Sequence, residues 1–278
     1  MKFRTEIEPV RGSFAITHAD RIVLLGSCFA DNVGARLCDD GFTVTHNPLG
    51  PLFSPMAIAR VLARGTRLYG PEDFVFNPAD GMWHCLDFAA RYARPDAHTL
   101  AEAVNADFLP LVQAIADATV LIVTFGTAKT FTYADGQAAG NCHRFPADFF
   151  SQQIVTAPHI VRAFNELDLP PCRKVFTLSP VRYAEGGLRA NSLSKAHLRV
   201  AIDDLCASIG ADYFPAYEMV VDDLRDYRFY AADLKHITDV AVDYIYQHFA
   251  DAYFSPDTLL RATAHRRQSR LSAHLPRE

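Results

Sequence analysis

The sequence predicts an α/β protein built on a parallel sheet with helices on both faces. Three short apolar runs, at 21–25, 119–125 and 174–178, are typical of buried strands. Continuous apolar runs of this length are expected of parallel strands, because such strands are covered on both faces. Helical patterns separate the three runs, and this alternation of strand and helix favours a parallel sheet.

The first strand leads directly into a helix. The strand ends at Gly26, and apolar residues then recur at i, i+4 and i+8, namely Phe29, Val33 and Leu37. Gly41 supplies a stop signal for that helix. A strand, a tight turn and a helix in this order form the opening of a βαβ unit.

Local signals predict the other elements. Thr99-x-x-Glu102 is a capping box that opens a helix, which Pro110 is expected to break or kink. Tyr133 is followed by Asp135-Gly136, which indicates a hairpin. The remaining predictions are a rigid loop over 47–51 and helices over 56–62, 154–164, 192–209 and 237–249.

The chain shows no internal repeat and no low-complexity linker, which favours a single domain over residues 1–250. Residues 251–278 form a basic tail, rich in Arg and His. We expect this tail to be a peripheral helix or partly disordered.

Composition excludes several classes of function. A formal net charge of -5 argues against nucleic acid as the main partner, since phosphate binding needs a basic face. No stretch is apolar and long enough to span a bilayer, and the charged start Met1 to Glu6 lacks the apolar run of a secretory signal. We therefore expect a cytoplasmic protein with no membrane partner.

The six cysteines are scattered and include no Cys-x-x-Cys pair. This spacing predicts neither a zinc site nor a disulfide framework, and most of the thiols are expected to be buried and reduced. A metal site formed by Cys142 and His143 with His84 and Cys85 lacks any ligand spacing. We expect no metal and no cofactor.

The first candidate for chemistry is the turn Gly26-Ser27-Cys28. A nucleophile at a helix N-terminus is favoured by the helix dipole and by free N–H groups, which stabilise an anion. A thiol in this position has a lowered pKa, whereas a serine hydroxyl depends on an adjacent base. From these residues alone, a purely structural turn with a buried Cys28 is an equal alternative.

The second candidate is Asp233-x-x-His236, directly before the last helix. The carboxylate would fix the tautomer and orientation of the imidazole and stabilise its cationic form. Such a pair is more often a solvated helix start than a dyad. Its interest comes from its place near the end of a chain that opens with strand, Gly, Ser, Cys and helix.

Other polar residues follow the predicted strands. Thr127 comes after the second strand and Arg182 after the third. Because ligands of parallel sheets bind beyond the carboxyl ends of the strands, these residues are expected to cluster with Ser27 and Cys28. Asn141-Cys142-His143 either donates hydrogen bonds into the same cleft or forms a turn with a buried Cys.

These motifs resemble the GSCFA family. Leu25-Gly26-Ser27-Cys28-Phe29-Ala30 looks like the signature for which the family is named. Further pieces occur in family order from about residue 20 to 250: Asn47-Pro48-x-Gly50, Gly126-Thr127-Ala128, Asn141-Cys142-His143, Ser179-Pro180-Val181-Arg182 and Asp223 to Tyr230.

The family is similar to the SGNH (GDSL-like) hydrolases, which implies a three-layer flavodoxin-like fold and esterase, deacylase or acyltransferase chemistry. The C-terminal Asp-x-x-His of that superfamily falls on Asp233 and His236. Its oxyanion glycine falls on Gly50. In the gap-free register, Gly-Asp-Ser overlays Gly26-Ser27-Cys28, so that Cys28 takes the nucleophile position.

The sequence departs from the SGNH pattern at the Gly-x-Asn-Asp block, which is missing. Gly126-Thr127 stands in its place, and Thr127 or Asn141 would replace the oxyanion Asn. The loss of one oxyanion donor costs on the order of a hundred- to a thousandfold in rate. The activity implied by the resemblance is therefore expected to differ from plain ester hydrolysis.

Two hypotheses follow. In the first, Cys28 or Ser27 attacks an ester or thioester, His236 and Asp233 supply the proton transfer, and Gly50, Thr127, Asn141, His143 and Arg182 bind the oxyanion or substrate. In the second, the protein is a non-catalytic member that binds a carbohydrate or acyl ligand. A nucleotide-binding fold is a weaker reading, because a single glycine lacks the Gly-x-Gly-x-x-Gly spacing. The oligomeric state stays open.

Overall fold

The computed structural model describes residues 4–134 and 136–274. The strands, in chain order, are β1 (Arg21–Gly26), β2 (Thr43–His46), β3 (Val75–Asn77), β4 (Met82–His84), β5 (Ala93–Arg94), β6 (Val120–Phe125), β7 (Lys129–Tyr133), β8 (Gln137–Ala139), β9 (Ser151–Ile154), β10 (Arg173–Leu178) and β11 (Asp212–Phe214).

The helices, in chain order, are α1 (Cys28–Asp39), α2 (Pro55–Arg64), α3 (Ala97–Ala116), α4 (Ala157–Asn165), α5 (Gly187–Ile209), α6 (Ala216–Glu218), α7 (Asp239–Tyr253) and α8 (Pro256–His274). A π-helix, Met219–Leu224, continues α6, and short 3-10 turns occur elsewhere. Within the described residues, no helix is long and apolar enough to cross a membrane.

The central sheet has five parallel strands in the order β11-β10-β6-β1-β2. The predicted α/β architecture is confirmed, because helices cover both faces of this sheet. Alternate residues of β1 point to opposite sides: Val23 and Leu25 join a core with α2, α3, α4 and α5, whereas Ile22 and Leu24 join a core with α1 and α7. Each face buries its own apolar core, and together the two cores supply most of the driving force for folding.

Two small antiparallel sheets stand outside the central one, in the orders β3-β4-β5 and β8-β7-β9. The predicted hairpin is formed by β7 and β8, whose register pairs Tyr133 with Gln137. Asp135, which was predicted to form the turn, lies outside the described residues.

The start of α3 differs from the prediction. The cap is Asp96, whose carboxylate accepts the Thr99 N–H at 2.7 Å, so the cap lies three residues before Thr99, the cap of the predicted capping box. Pro110 does not end the helix, which runs unbroken to Ala116. Pro110 and Ala106, whose carbonyl loses its helical partner, are both exposed, so the missing hydrogen bond falls on the solvent side of the helix.

Other helix boundaries also move. The predicted helix 154–164 begins only at Ala157, because Ile154 ends strand β9 and pairs with Lys129. The helix predicted over 192–209 begins earlier, at Gly187. The basic tail forms α8 over 256–274, while residues 275–278 lie outside the described part of the chain.

Candidate active site

The turn after β1 is fixed by its backbone. Gly26 has φ +140°, and a Cβ there would lie 2.1 Å from the Thr124 carbonyl oxygen of the neighbouring strand. Ser27 caps α1, its Oγ accepting the Phe29 N–H at 3.3 Å. The Ser27 N–H donates to the Thr124 carbonyl at 3.2 Å. Ser27 is therefore held tightly at the end of the central sheet.

A loop after β2 supports this turn from one side. The Asn47 side chain accepts the Gly26 N–H at 2.9 Å and donates to the Ser27 carbonyl at 3.3 Å. Gly50, predicted to be an oxyanion donor, has φ +105° and donates its N–H to the Asn47 carbonyl at 2.8 Å. That N–H is already engaged, so Gly50 acts here by shaping the loop that holds the turn.

A cavity of about 350 Å³ opens beyond the carboxyl ends of β1, β6 and β10. This is the edge of a parallel sheet at which ligands are expected to bind. Its walls combine the three strand ends with segments before α2, α5 and α7: Ser27, Phe53, Gly126, Thr127, Ser179, Val181, Arg182, Tyr183, Ala184, Glu185, Lys235 and His236. The structure thus brings Ser27, Thr127, Arg182 and His236 together.

His236 and Asp233 form a hydrogen-bonded pair. His236 Nδ1 lies 2.5 Å from Asp233 Oδ2, and Asp233 Oδ1 accepts the backbone N–H groups of Lys235 and His236. The hydrogen bond from His236 is the largest influence that lowers the pKa of Asp233, followed by the two backbone bonds. The anionic carboxylate holds a proton on Nδ1 and leaves Nε2 of His236 free to accept one.

Cys28 is the first residue of α1 and is half-buried. Burial raises the pKa of its thiol above 9.0, and the nearby Asp31 carboxylate raises it further. Among the described residues, those that line the cavity include Ser27 but not Cys28. The thiol is thus protonated at neutral pH, in contrast to the thiolate that the helix N-terminus alone would favour.

Thr127 lies in the cavity wall with its polar groups engaged. Its N–H donates to the Phe53 carbonyl at 2.9 Å, and its hydroxyl lies 3.1 Å from Ser194 Oγ. The same hydroxyl oxygen accepts the Lys129 N–H at 3.1 Å. In this arrangement Thr127 braces the start of the hairpin.

Asn141 and His143 lie outside the set of residues that line the cavity. Asn141 Oδ1 accepts the His143 N–H at 2.8 Å, and His143 Nε2 donates to the carbonyl oxygens of Cys85 and Phe88. Burial lowers the pKa of His143 to about 4, so its ring is neutral and Nδ1 accepts from His84 Nδ1 at 2.9 Å. These residues join the two small sheets.

No cluster of three or more His, Cys, Asp or Glu side chains that could hold a metal ion occurs within residues 4–134 and 136–274. His84, one of the four residues considered for a metal site, instead has its Nε2 3.0 Å from the Asp80 carboxylate.

Arg182 is positioned by the segment that carries His236. Its backbone N–H donates to the Lys235 carbonyl at 3.1 Å, and its guanidinium donates to the Leu234 carbonyl at 3.4 Å. The guanidinium carbon lies 4.0 Å from the ring centroid of Tyr230 and 5.0 Å from that of Tyr227. Arg182 thus links the third strand end to the Asp233–His236 segment.

Sequence reasoning missed Lys195, which is 2% exposed. Its ammonium donates to the carbonyl oxygens of Gly126 at 2.7 Å and Ser179 at 2.6 Å, the residues that follow β6 and β10. No carboxylate in the described residues forms an ion pair with it. The sequence does carry a signal, because Lys195 falls on the same helical stripe as Leu198 and Ile202.

Burial lowers the pKa of Lys195 from 10.5 to about 7. Between these values the unfolded chain binds one more proton than the folded protein, so this group makes the free energy of unfolding rise with pH, by up to about 1.4 kcal/mol per unit. We expect the wild type to gain stability over Lys195→Met between pH 7 and 10 in urea unfolding. Parallel pH curves for the two proteins would contradict this assignment.

Comparison with known proteins identifies the family of this chain. A profile of the GSCFA family matches residues 21–249, from the first residue of β1 into α7. No curated protein sequence matches this chain. The matched region includes every residue that lines the cavity, and the chain belongs to the GSCFA family.

Proposed function

We propose that this protein is an SGNH-type acyl-transfer enzyme that acts on an ester or thioester, with Ser27 as the nucleophile. One observation carries the proposal. The cavity at the carboxyl edge of the sheet is lined by both Ser27 and His236, and His236 is hydrogen-bonded to Asp233 at 2.5 Å. A nucleophile, a base and a carboxylate that orients the base are the parts of a hydrolytic triad.

In the proposed reaction, Ser27 Oγ attacks the carbonyl carbon of the substrate and its proton passes to Nε2 of His236. The tetrahedral intermediate collapses when His236 returns that proton to the leaving alkoxide or thiolate, which breaks the C–O or C–S bond and leaves acyl-Ser27. Water or an acceptor hydroxyl then attacks the acyl group and gives its proton to His236. The proton returns to Ser27 as the ester bond breaks.

Two features favour Ser27 over Cys28. Ser27 lines the cavity, and the Cys28 thiol has a raised pKa that disfavours the thiolate. Cys28 then has a different part, because its N–H belongs to the first residue of α1 and has no partner within the helix. The N–H of the residue after a nucleophile, at the positive end of a helix, is suited to stabilise an oxyanion.

A second candidate function is that of a non-catalytic protein that binds an acyl or carbohydrate ligand. It is favoured by the engagement of the expected oxyanion donors. The N–H groups of Ser27, Gly50 and Thr127 all donate to backbone carbonyls. An enzyme of this design would depend on the Cys28 N–H and on cationic side chains for oxyanion stabilisation.

Covalent labelling tests the proposal. We expect a fluorophosphonate probe to modify Ser27 in the wild type and in Cys28→Ala, and to leave Ser27→Ala unlabelled, as measured by intact mass and peptide mapping. Cys38→Ala is the matched control, since Cys38 is an exposed thiol of the same helix.

Ser54→Ala controls for the loss of a helix cap, because Ser54 caps α2 as Ser27 caps α1 and does not belong to the residues named above as lining the cavity. Both controls are expected to be labelled like the wild type. Label that persists in Ser27→Ala would refute the role of Ser27. If none of the proteins is labelled but an acyl or carbohydrate ligand still binds, the second candidate function, a non-catalytic binding protein, would be favoured.

A further inference from the structure

A second cavity, of about 180 Å³, lies beside the first. Its walls include Arg182, Arg225, Asp226, Tyr227 and Tyr230. Arg182 lines both cavities and is therefore the residue that they share. A substrate that reaches Ser27 and His236 in the first cavity can therefore extend past Arg182 into the second.

The charges on the walls are unbalanced. Both acidic residues have cationic partners, since Glu185 pairs with Lys129 at 3.0 Å and Asp226 with Arg228 at 3.1 Å. By contrast, the cationic wall residues Arg182, Arg225 and Lys235 take part in none of the ion pairs found in the described residues.

This surplus of positive charge occurs in a protein whose formal net charge is -5. A cleft lined by one sign of charge concentrates field lines and attracts ligands of the opposite sign. The two cavities are therefore expected to favour an anion, although the protein as a whole repels one.

The guanidinium of Arg182 is preorganised for this purpose. It lies over the ring of Tyr230, with its carbon 4.0 Å from the ring centroid, and its one carbonyl contact, to Leu234 at 3.4 Å, is long. A guanidinium presents its N–H groups as a fork, which matches the two oxygens of a carboxylate or phosphate. Because the ring already fixes the side chain, less entropy is lost when an anion binds.

We propose that the substrate carries an anionic group, a carboxylate or a phosphate, which Arg182 and Arg225 bind while the acyl bond lies at Ser27 and His236. The inference rests on the proposed function for the place of the acyl bond. The anion site itself is independent of catalysis. Arg182 is then the residue that determines specificity, since it is common to both cavities.

Paired esters test this inference. Mono-4-nitrophenyl glutarate carries its charge on the acyl side and is compared with 4-nitrophenyl valerate. The ester 4-acetoxybenzoate carries its charge on the alcohol side and is compared with its methyl ester. We expect at least one charged ester to exceed its neutral counterpart by about tenfold or more in kcat/KM, the scale of one charge-assisted bond.

Arg182→Gln is expected to abolish this preference, and Arg182→Lys to retain part of it, because lysine keeps the charge without the fork. Arg225→Gln is expected to weaken the preference. Arg261→Gln is the control, since Arg261 is an exposed arginine of α8 that pairs with Asp257, and neither residue lines either cavity. The inference would be overturned if the ratio of kcat/KM for the charged ester to that for the neutral ester is one or less in both pairs. It would also be overturned if the preference survives in Arg182→Gln.

Binding separates this inference from the proposed function. Calorimetry with Ser27→Ala compares glutaric acid monoanilide with valeranilide, and glutarate and inorganic phosphate serve as competitors that distinguish the two kinds of anion. One outcome is that Ser27→Ala binds the acid selectively, that Arg182→Gln removes this selectivity, and that the wild type has no esterase activity. This outcome would refute the proposed enzyme and support the anion site. Esterase activity with equal binding of both anilides would do the reverse.

Discussion

Replacing His236 with Gln is expected to lower kcat/KM for an activated ester by a factor of about a thousand or more. Glutamine keeps a polar side chain of similar length but cannot take the proton from Ser27 or return it to the leaving group. Removal of one triad member lowers the rate by a factor of at least this order, because the members act as a unit. The measurement is the initial rate of 4-nitrophenyl acetate hydrolysis over a range of substrate concentrations.

The chain offers a matched control in His159, an exposed histidine of α4 that hydrogen-bonds Thr156. His159→Gln is expected to keep wild-type rates. His236 lies on an exposed segment, so its loss is expected to leave thermal unfolding nearly unchanged. A His236→Gln protein that retains more than about a tenth of the activity would rule out this residue as the general base.

Gly26→Ala is expected to prevent folding or to remove at least about 4 kcal/mol of stability, a large share of the total for a protein of this kind. The backbone at Gly26 has φ +140°, which an L-residue rarely adopts, and the new Cβ would lie 2.1 Å from the Thr124 carbonyl oxygen. That oxygen belongs to β6, which pairs with β1, so it can move only if the sheet opens.

Gly210→Ala separates strain from steric overlap. Gly210 ends α5 with φ +72°, and no atom lies within 4 Å of a Cβ built there. This substitution is expected to cost about 1 kcal/mol of stability, the usual penalty when a residue other than glycine adopts a left-handed backbone conformation. Urea unfolding followed by circular dichroism measures both variants, and equal losses would show that overlap with β6 is not the cause.

The interior of the fold was predictable because its signal is local. The strands β1, β6 and β10 lie inside the sheet and each contains a run of apolar residues, and all three were found from the sequence. The edge strands β2 and β11 escaped prediction, since Thr43–His46 and Asp212–Phe214 are short and partly polar. An edge strand buries less of its surface, and its pairing depends on a partner that is distant in sequence.

The site was predictable where residues follow strand ends or belong to the Asp-x-x-His pattern. Ser27, Thr127 and Arg182 come one, two and four residues after the ends of β1, β6 and β10, and the topology brings them to one cavity together with His236. Asn141 and His143 stand at the far end of a hairpin, and no sequence pattern specifies that this end packs on Cys85 and Phe88.

Lys195 was missed for a different reason. A lysine is almost never fully buried unless its charge is paired, so a lysine on an apolar helical stripe does not by itself indicate a buried ammonium. Its partners, the carbonyls of Gly126 and Ser179, lie 69 and 16 residues away in sequence. Only the assembled sheet brings them together.

The position of β1 between β2 and β6 bears on how the chain acquires its structure during synthesis. Ile22 pairs with Val120, nearly a hundred residues later, and Arg173 on β10 pairs with the same Val120. The apolar face of α1 therefore has no complete sheet to cover until β6 has left the ribosome. We expect residues 1–100 to lack a stable core until β6 is available, and folding to be slow because it depends on pairing between distant segments.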